Sequence, residues 1–150
     1  GFTAVTAVFF GFARCIRLAG DQTMTSPTPR TGIVLFAHGS RDPLWRLPIE
    51  AIAQRIRADQ PDTPVTCAYL ELCEPDLPTG LDALVAAGAQ RVRVLPVFFG
   101  MGKHAREDLP LLIEHWTAAH PLIPIDLLPP AGEHPALTAL LAQLATTTPP

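Results

Sequence analysis

Short apolar runs and stretches with helical spacing alternate four times between residues 31 and 145 of this chain. The apolar runs, which are partly β-branched, cover residues 31–37, 65–70, 92–98 and 123–128. Each run is followed by a loop with polar, glycine or proline residues, and then by apolar residues three or four positions apart, which is typical of an amphipathic helix. The apolar positions that mark the four helices are Trp45, Ile49, Ile52, Ala53 and Ile56; Leu77, Leu81, Leu84 and Val85; Leu109, Leu112, Ile113 and Trp116; and Leu137, Leu140, Leu141 and Leu144.

This alternation predicts the fold class. Strands that alternate with helices favour a parallel sheet covered on both faces. Right-handed crossovers in a doubly wound sheet place the first and third strands side by side. We therefore predict a single α/β domain with a doubly wound, four-stranded parallel sheet flanked by helices, similar to half of a flavodoxin-like or Rossmann-like fold. A proline is expected near the start of each helix, where a missing N–H costs little, namely Pro48, Pro78, Pro110 and Pro135.

Composition narrows the class of protein. The net charge of −3 provides no basic field, so a nucleic-acid partner is not expected. The cysteines, Cys15, Cys67 and Cys73, form no CxxC pair and are odd in number. This argues against a disulfide framework or a structural zinc site, and it favours the reducing cytoplasm.

The chain divides into three parts. We predict an N-terminal extension over residues 1–30, either disordered or not native, a domain over 31–145 and a flexible tail over 146–150. Residues 1–23 precede Met24, which has the context of a natural start. The apolar stretch 2–13 is too short to span a bilayer and lacks the basic region of a secretory signal. No stable membrane association is therefore expected, although a short anchor at the membrane surface stays open as an alternative.

Polar side chains are concentrated in the loops that follow the first and third strands. The stretch "VLFAHGSRDP" (34–43) brings His38 directly after the first strand, and "GMGKHARED" (100–108) brings His104 after the third. Glu71 follows the second strand. Ligands of such sheets bind outside the carboxyl ends of the strands, at the switch point between the first and third. We therefore expect His38 and His104 to face each other there, with Glu71 at one flank.

Two imidazoles and a carboxylate suit two chemistries. One is general acid–base catalysis, because imidazole titrates near neutral pH. The other is transient binding of a borderline divalent metal, since a site with so few ligands is open. The alternatives to a functional role are that His38 is an ordinary histidine of a turn and that His104 is a solvated histidine at the start of a helix.

The surroundings of the two histidines suggest an anionic ligand. Arg41, Lys103 and Arg106 form a local positive cluster that suits carboxylate or phosphate groups, unless they are ordinary surface charges. Substrate-binding residues are therefore expected among Ser40, Arg41, Gly100, Gly102, Lys103 and Arg106, where the glycines allow close approach of the backbone. Candidates for an apolar wall are Leu70, Leu72, Phe98, Phe99 and Met101.

Two motifs together resemble a known family. "HGSRDP" (38–43) and "PVFFGMGKHAREDLP" (96–110) are similar to the small CbiX/SirB family of class II tetrapyrrole chelatases. "YLELCEPDLP" (69–78) and "PPAGEHPAL" (129–137) fall where that family has similar segments, so the resemblance covers about residues 31–145.

The resemblance implies a lyase-class enzyme of cobalamin or siroheme biosynthesis. It would insert a divalent metal, Co²⁺ or alternatively Fe²⁺ or Ni²⁺, into sirohydrochlorin with loss of two pyrrole protons, and it would hold no permanent cofactor. His38 and His104 match the family's metal-binding and proton-removing histidines, and Glu71 matches a glutamate implicated in related chelatases. Longer relatives have two such modules, so a homodimer is implied.

Other functions stay open. A non-catalytic metal or tetrapyrrole carrier with the same fold would bind without inserting. A hydrolase like the histidine phosphatases is disfavoured, because Ala37 stands where their Arg-His-Gly motif has arginine. An α/β-hydrolase is disfavoured by the lack of a GxSxG motif. The roles of Glu71 and His134 are not settled by the sequence.

Overall fold

The four apolar runs become four strands, and the four helical patterns become four helices. The structure is a computed structural model, and it describes residues 27–149. The strands are β1 (Thr31–Ala37), β2 (Val65–Tyr69), β3 (Arg91–Pro96) and β4 (Ile125–Leu127). The helices are α1 (Leu47–Asp59), α2 (Leu77–Ala86), α3 (Lys103–Ala119) and α4 (Pro135–Thr146), with a short 3-10 helix at Ala131–Glu133 before α4.

All strand pairs are parallel, and the strand order is β2-β1-β3-β4. In register, Leu35 of β1 lies between Cys67 of β2 and Leu95 of β3. The predicted fold class and the predicted neighbourhood of β1 and β3 are both confirmed. The carboxyl ends of these two strands therefore form the centre of one edge of the sheet.

The main core lies between the sheet and the helices α2 and α3. Val34 and Phe36 of β1, Val92 and Val94 of β3, and apolar residues of both helices form one buried cluster. On the opposite face, α1 packs against β1 and β2, where the Cys67 Sγ lies 3.9 Å from the Ile49 carbonyl oxygen. Cys67 is half-buried there.

Two helix starts differ from the prediction. α3 begins at Lys103, so "GMGKHARED" is a loop only through Gly102, and Pro110 lies inside the helix instead of near its start. Ala105 and Leu109, one helical turn apart, are both buried and extend the apolar stripe toward the N-terminus. Burial of this added turn outweighs the hydrogen bond that the exposed Pro110 removes.

α1 begins at Leu47, so Trp45 precedes the helix that it was expected to mark. Trp45 lies in the turn before α1, where its N–H donates to the Asp42 carbonyl oxygen at 3.1 Å. Within residues 27–149, no helix has the length and apolarity needed to cross a membrane. Cys15 and the first 26 residues lie outside the described range, and the division into 1–30, 31–145 and 146–150 stays a prediction.

Candidate active site

His38 is the first residue after β1 and is exposed at the carboxyl edge of the sheet. Its ring packs edge-on against the ring of Phe98, with centroids 4.3 Å apart and planes at 79°. Phe98 is buried, and its ring in turn packs edge-on against Phe36 of the core. This contact holds one side of the imidazole against an apolar wall and leaves the residue accessible to a ligand.

The backbone after β1 lies against the backbone after β2. The Leu70 N–H donates to the Ala37 carbonyl at 2.9 Å, and the Glu71 N–H donates to the His38 carbonyl at 3.0 Å. Gly39 adopts φ of +95°, and a Cβ at this position would overlap the Glu71 carbonyl oxygen. A glycine is therefore required here, both for the positive φ and for the lack of space for a Cβ. Its small size allows the Glu71 backbone to lie next to His38.

The next residues form a local turn. The Ser40 Oγ accepts a hydrogen bond from the Asp42 N–H at 3.1 Å, and the Asp42 Oδ1 accepts one from the Leu44 N–H at 2.9 Å. Ser40 thus stabilises the turn, while its hydroxyl hydrogen can still be donated. Arg41 lies between them and is exposed.

The segment after β3 is open. The Val97 N–H still donates to the Phe36 carbonyl at 2.7 Å, so the pairing with β1 continues one residue beyond β3. Phe99 is then 71% exposed, and a Cβ at Gly100 or Gly102 would meet no residue beyond its neighbours in the chain within 4 Å. This leaves room beside the edge of the sheet for a flat ligand.

His104 is the second residue of α3 and is exposed. Gly102 precedes the helix and provides no side-chain cap, so the N–H groups of the first turn lack that partner. These N–H groups give the start of α3 a partial positive charge, which favours an anionic ligand.

Two exposed arginines add positive charge to this edge. Within the described residues, neither Arg41 nor Arg106 forms an ion pair. Arg106 lines a groove of about 420 Å³ together with apolar residues that include Met101 and Leu109. The Lys103 Nζ lies 4.0 Å from the Glu107 Oε1, and because both side chains are exposed this ion pair contributes little to stability.

Two further titratable groups lie close beneath this edge, on β2. Burial raises the pKa of the Tyr69 hydroxyl to about 12. Burial also raises the pKa of the Cys67 thiol, and the Arg57 guanidinium offsets only part of that rise. Both groups therefore stay protonated near neutral pH and provide no base for the site.

The predicted residues follow the carboxyl ends of neighbouring strands and form no metal cage in the described part of the chain. His38 and Glu71 are adjacent through their backbones, and His104 follows the neighbouring strand β3. In the described part of the chain, no three His, Cys, Asp or Glu residues are grouped so that they could hold a metal ion. His134 caps α4, because its Nδ1 accepts the Ala136 N–H at 3.1 Å.

The apolar wall residues fall into two groups. Phe98 belongs to the core, and Leu70 and Met101 pack against it. Leu72 and Phe99 are 51% and 71% exposed, so they are accessible to a flat ligand. Gly132 is not among the predicted residues, although a Cβ at this position would overlap the Phe99 carbonyl oxygen. The "PPAG" turn is the sequence signal from which this glycine could have been predicted.

Known proteins share this fold and sequence pattern. The CbiX family model matches residues 32–148. A sirohydrochlorin cobaltochelatase of Methanothermobacter thermautotrophicus is 33% identical over 85 residues, which are 57% of this chain and 59% of that protein. The chain thus spans less than two thirds of the length of the first curated relatives that it matches.

Solved structures agree with the sequence match. A putative cobalamin biosynthesis CbiX protein from Marinobacter aquaeolei VT8 has a TM-score of 0.62 and 31% identity, over 77% of this chain and 93% of that chain. SirB from Bacillus subtilis subspecies spizizenii, in complex with cobalt, has a TM-score of 0.65 and 26% identity, over 77% of this chain but 50% of its own. The family match over residues 32–148 covers most of the described residues: the chain belongs to the CbiX family.

Proposed function

We propose that this chain is a sirohydrochlorin cobaltochelatase, which inserts Co²⁺ into the macrocycle with release of two pyrrole protons. The observation that carries the proposal is the position of His38 and His104. Both are exposed, and they follow the carboxyl ends of β1 and β3, which are adjacent strands. The relatives named sirohydrochlorin cobaltochelatase support the substrate and the metal.

Insertion requires two tasks that imidazoles perform. The metal ion must exchange bound water for nitrogen ligands, and imidazole nitrogen is a suitable ligand for Co²⁺, Fe²⁺ and Ni²⁺. Two N–H bonds of the macrocycle must break, and each proton must pass to a base. Each neutral imidazole has one basic lone pair. His38 and His104 are therefore proposed to hold the metal first and to accept the two pyrrole protons as the metal passes to the macrocycle nitrogens, and as exposed side chains they can pass these protons on to water. Glu71, next to His38, is proposed either to attract the metal cation through its negative charge or to relay a proton.

The acidic substituents of sirohydrochlorin need positive partners. Arg41 and Arg106 can bind carboxylates with two hydrogen bonds each, because guanidinium is planar. Lys103 and the first N–H groups of α3 add to the same field. Ser40 is proposed to donate its hydroxyl hydrogen, and Gly100 and Gly102 to let the macrocycle approach the backbone.

The metal is treated as a substrate, and the proposal includes no permanently bound cofactor. Cobalt is preferred because of the relatives' names, and Fe²⁺ and Ni²⁺ are the alternatives, since affinity orders do not settle which metal is used.

The proposal also includes a homodimer, because the matched SirB chain is about twice as long as the region it shares. It places the protein in the cytoplasm, in keeping with the free thiols of Cys67 and Cys73.

The experiment measures metal insertion by the change in visible absorption of sirohydrochlorin, with Co²⁺, Fe²⁺ and Ni²⁺ compared in one assay. His38→Ala and His104→Ala should each lower kcat/KM by about 100-fold or more, because a metal ligand and a base are lost together. The matched control is His115→Ala, an exposed histidine about three turns further along α3, which should keep normal rates.

The alternatives give different results in the same experiment. A carrier would bind cobalt or sirohydrochlorin without accelerating insertion. A phosphatase would release phosphate from a phosphoester such as p-nitrophenyl phosphate and insert no metal. Normal insertion by the His38→Ala, His104→Ala double variant would exclude the proposed mechanism.

A further inference from the structure

The two substrates of the proposed reaction carry opposite charges. Sirohydrochlorin has acidic substituents, whereas the metal ion is a dication. Arg41, Lys103 and the first N–H groups of α3 give the candidate site a positive field, which attracts the macrocycle and repels the metal ion. The metal ion therefore requires a route with negative charge that lies close to His104 and apart from the arginines.

The helix α3 carries opposite charges on two of its flanks. Asp108 follows His104 by four residues and is turned only about 40° from it, so the two residues share a flank. The Cβ atoms of residues spaced in this way are ~6 Å apart. Arg106 is turned about 200° from both and therefore lies on the opposite flank.

Two grooves show which part of the sheet each flank faces. Arg106 lines the larger groove, of about 420 Å³, together with Leu127 of β4 and Pro129 of the loop after it. Asp108 lines the smaller groove, of about 300 Å³, together with three leucines, Leu70, Leu111 and Leu112. Leu70 follows β2, and β2 and β4 are the two outer strands of the sheet. The two flanks of α3 therefore face opposite ends of the carboxyl edge.

The smaller groove begins beside the candidate site. The Leu70 N–H donates to the Ala37 carbonyl at 2.9 Å, and these two residues directly precede Glu71 and His38. One wall of the groove therefore continues into the strand ends that carry Glu71 and His38. Its other wall is the flank of α3 that carries His104.

The smaller groove suits a hydrated dication in transit. Its leucine walls have a low dielectric constant and focus the field of the single carboxylate. In residues 27–149, no lysine, arginine or histidine forms an ion pair with Asp108. An ion with six waters occupies ~180 Å³, at ~30 Å³ per water, and this fits the groove. One exposed carboxylate attracts such an ion without retaining it, so the ion can pass on to the His104 imidazole.

We propose that Asp108 is the entry residue for the metal ion and that α3 keeps the two substrates apart. The metal ion reaches His104 along the flank of Asp108, and carboxylates of the macrocycle bind on the flank of Arg106. The step exchanges bound water for an imidazole nitrogen and transfers neither a proton nor an electron. The inference rests on the proposed function, which it deepens by assigning a separate route to each substrate.

The first test measures metal insertion by the full chain while Co²⁺ and sirohydrochlorin are varied in turn. Asp108→Asn keeps the size of the side chain and removes its charge. It should raise KM for Co²⁺ about fivefold and change KM for sirohydrochlorin by less than about twofold. Arg106→Gln should have the reverse effect. The rise in KM for Co²⁺ should shrink as ionic strength increases, because salt screens the attraction.

The matched control is Glu107→Gln, which removes the same charge from the next residue of α3. The Glu107 Oε1 lies 4.0 Å from the Lys103 Nζ, and Glu107 does not line the smaller groove. Both KM values should therefore stay within about twofold of the wild type. Equal effects of Asp108→Asn and Glu107→Gln on KM for Co²⁺, or no effect of Asp108→Asn, would overturn the proposal.

The second test follows Co²⁺ binding in the absence of sirohydrochlorin, by stopped-flow measurement of the visible absorption of cobalt. Asp108→Asn should slow association about fivefold and leave the spectrum of bound Co²⁺ unchanged, because the histidines remain. A changed spectrum would make Asp108 a ligand of the bound ion and would overturn its role in entry. Normal insertion that is insensitive to Asp108→Asn contradicts this inference only. Charge-dependent Co²⁺ binding without insertion contradicts the proposed function only.

Discussion

The helices α2 and α4 are similar in sequence and differ in their surroundings. Each begins with a proline in its first turn and a side-chain cap, which is Asp76 in α2 and His134 in α4. Leu81 of α2 is completely buried, whereas Leu144 of α4 is 63% exposed. Leucine spacing therefore specifies an apolar face in both helices, but it does not specify how deeply that face is buried.

Two features attach α2 to the rest of the fold. Gly80 lets the helix approach the sheet closely, since a Cβ there would lie 3.1 Å from the Ala68 Cβ. The Trp116 indole N–H of α3 donates to the Asp82 carboxylate of α2 at 2.8 Å. α4, by contrast, packs against the short 3-10 helix that precedes it, and none of its residues is buried.

The largest expected difference between the helices is in core stability. Leu81→Ala should lower the free energy of unfolding by about 3 kcal/mol, because it removes a fully buried side chain. Leu144→Ala should cost less than about 1 kcal/mol, because the side chain of Leu144 is already 63% exposed. Denaturant unfolding of both variants measures the two losses. Equal losses would contradict the difference in burial between the two helices.

A smaller effect is expected from the link between α2 and α3. Trp116→Phe removes the N–H donor to Asp82 and should cost about 1 kcal/mol beyond any change in packing. The same substitution in an Asp82→Ala background serves as the control, and there it should cost correspondingly less. No coupling between the two positions would mean that this hydrogen bond does not stabilise α2.

The smallest effects are expected at the caps. Hydrogen bonds from the Thr79 side chain and backbone lower the pKa of Asp76, so its folded pKa lies below the unfolded value. The contribution of the cap is therefore complete above the unfolded value and is lost as pH falls through the folded one, that is, below about pH 4.

Asp76→Ala should lower the free energy of unfolding by about 1 kcal/mol at neutral pH, and this difference should shrink in acid. Unfolding of both proteins between neutral pH and about pH 2 measures it. His134→Ala should cost less, because no residue of α4 is buried. A pH-independent loss in Asp76→Ala would contradict the assigned role of the carboxylate.

The prediction from sequence was accurate where local patterns decide. The bounds of β1 were predicted as 31–37 and are confirmed, and so is the family resemblance. The start of α3 differs from the prediction, because burial of Ala105 one turn before Leu109 extends the helix back to Lys103, ahead of Pro110. The roles of His38, His104 and Glu71 stay predictions that the insertion assay tests.

The sequence by itself determined the alternation of strands and helices, the parallel sheet and the adjacency of β1 and β3. Hydrophobic period is a local property, and the hand of the crossover connections follows from the chirality of the residues. Only the tertiary structure decided that Gly39 lies against Glu71, that Phe98 supports the ring of His38, and that no residue of α4 is buried. These features depend on distances between segments far apart in the chain, which spacing along the sequence does not encode.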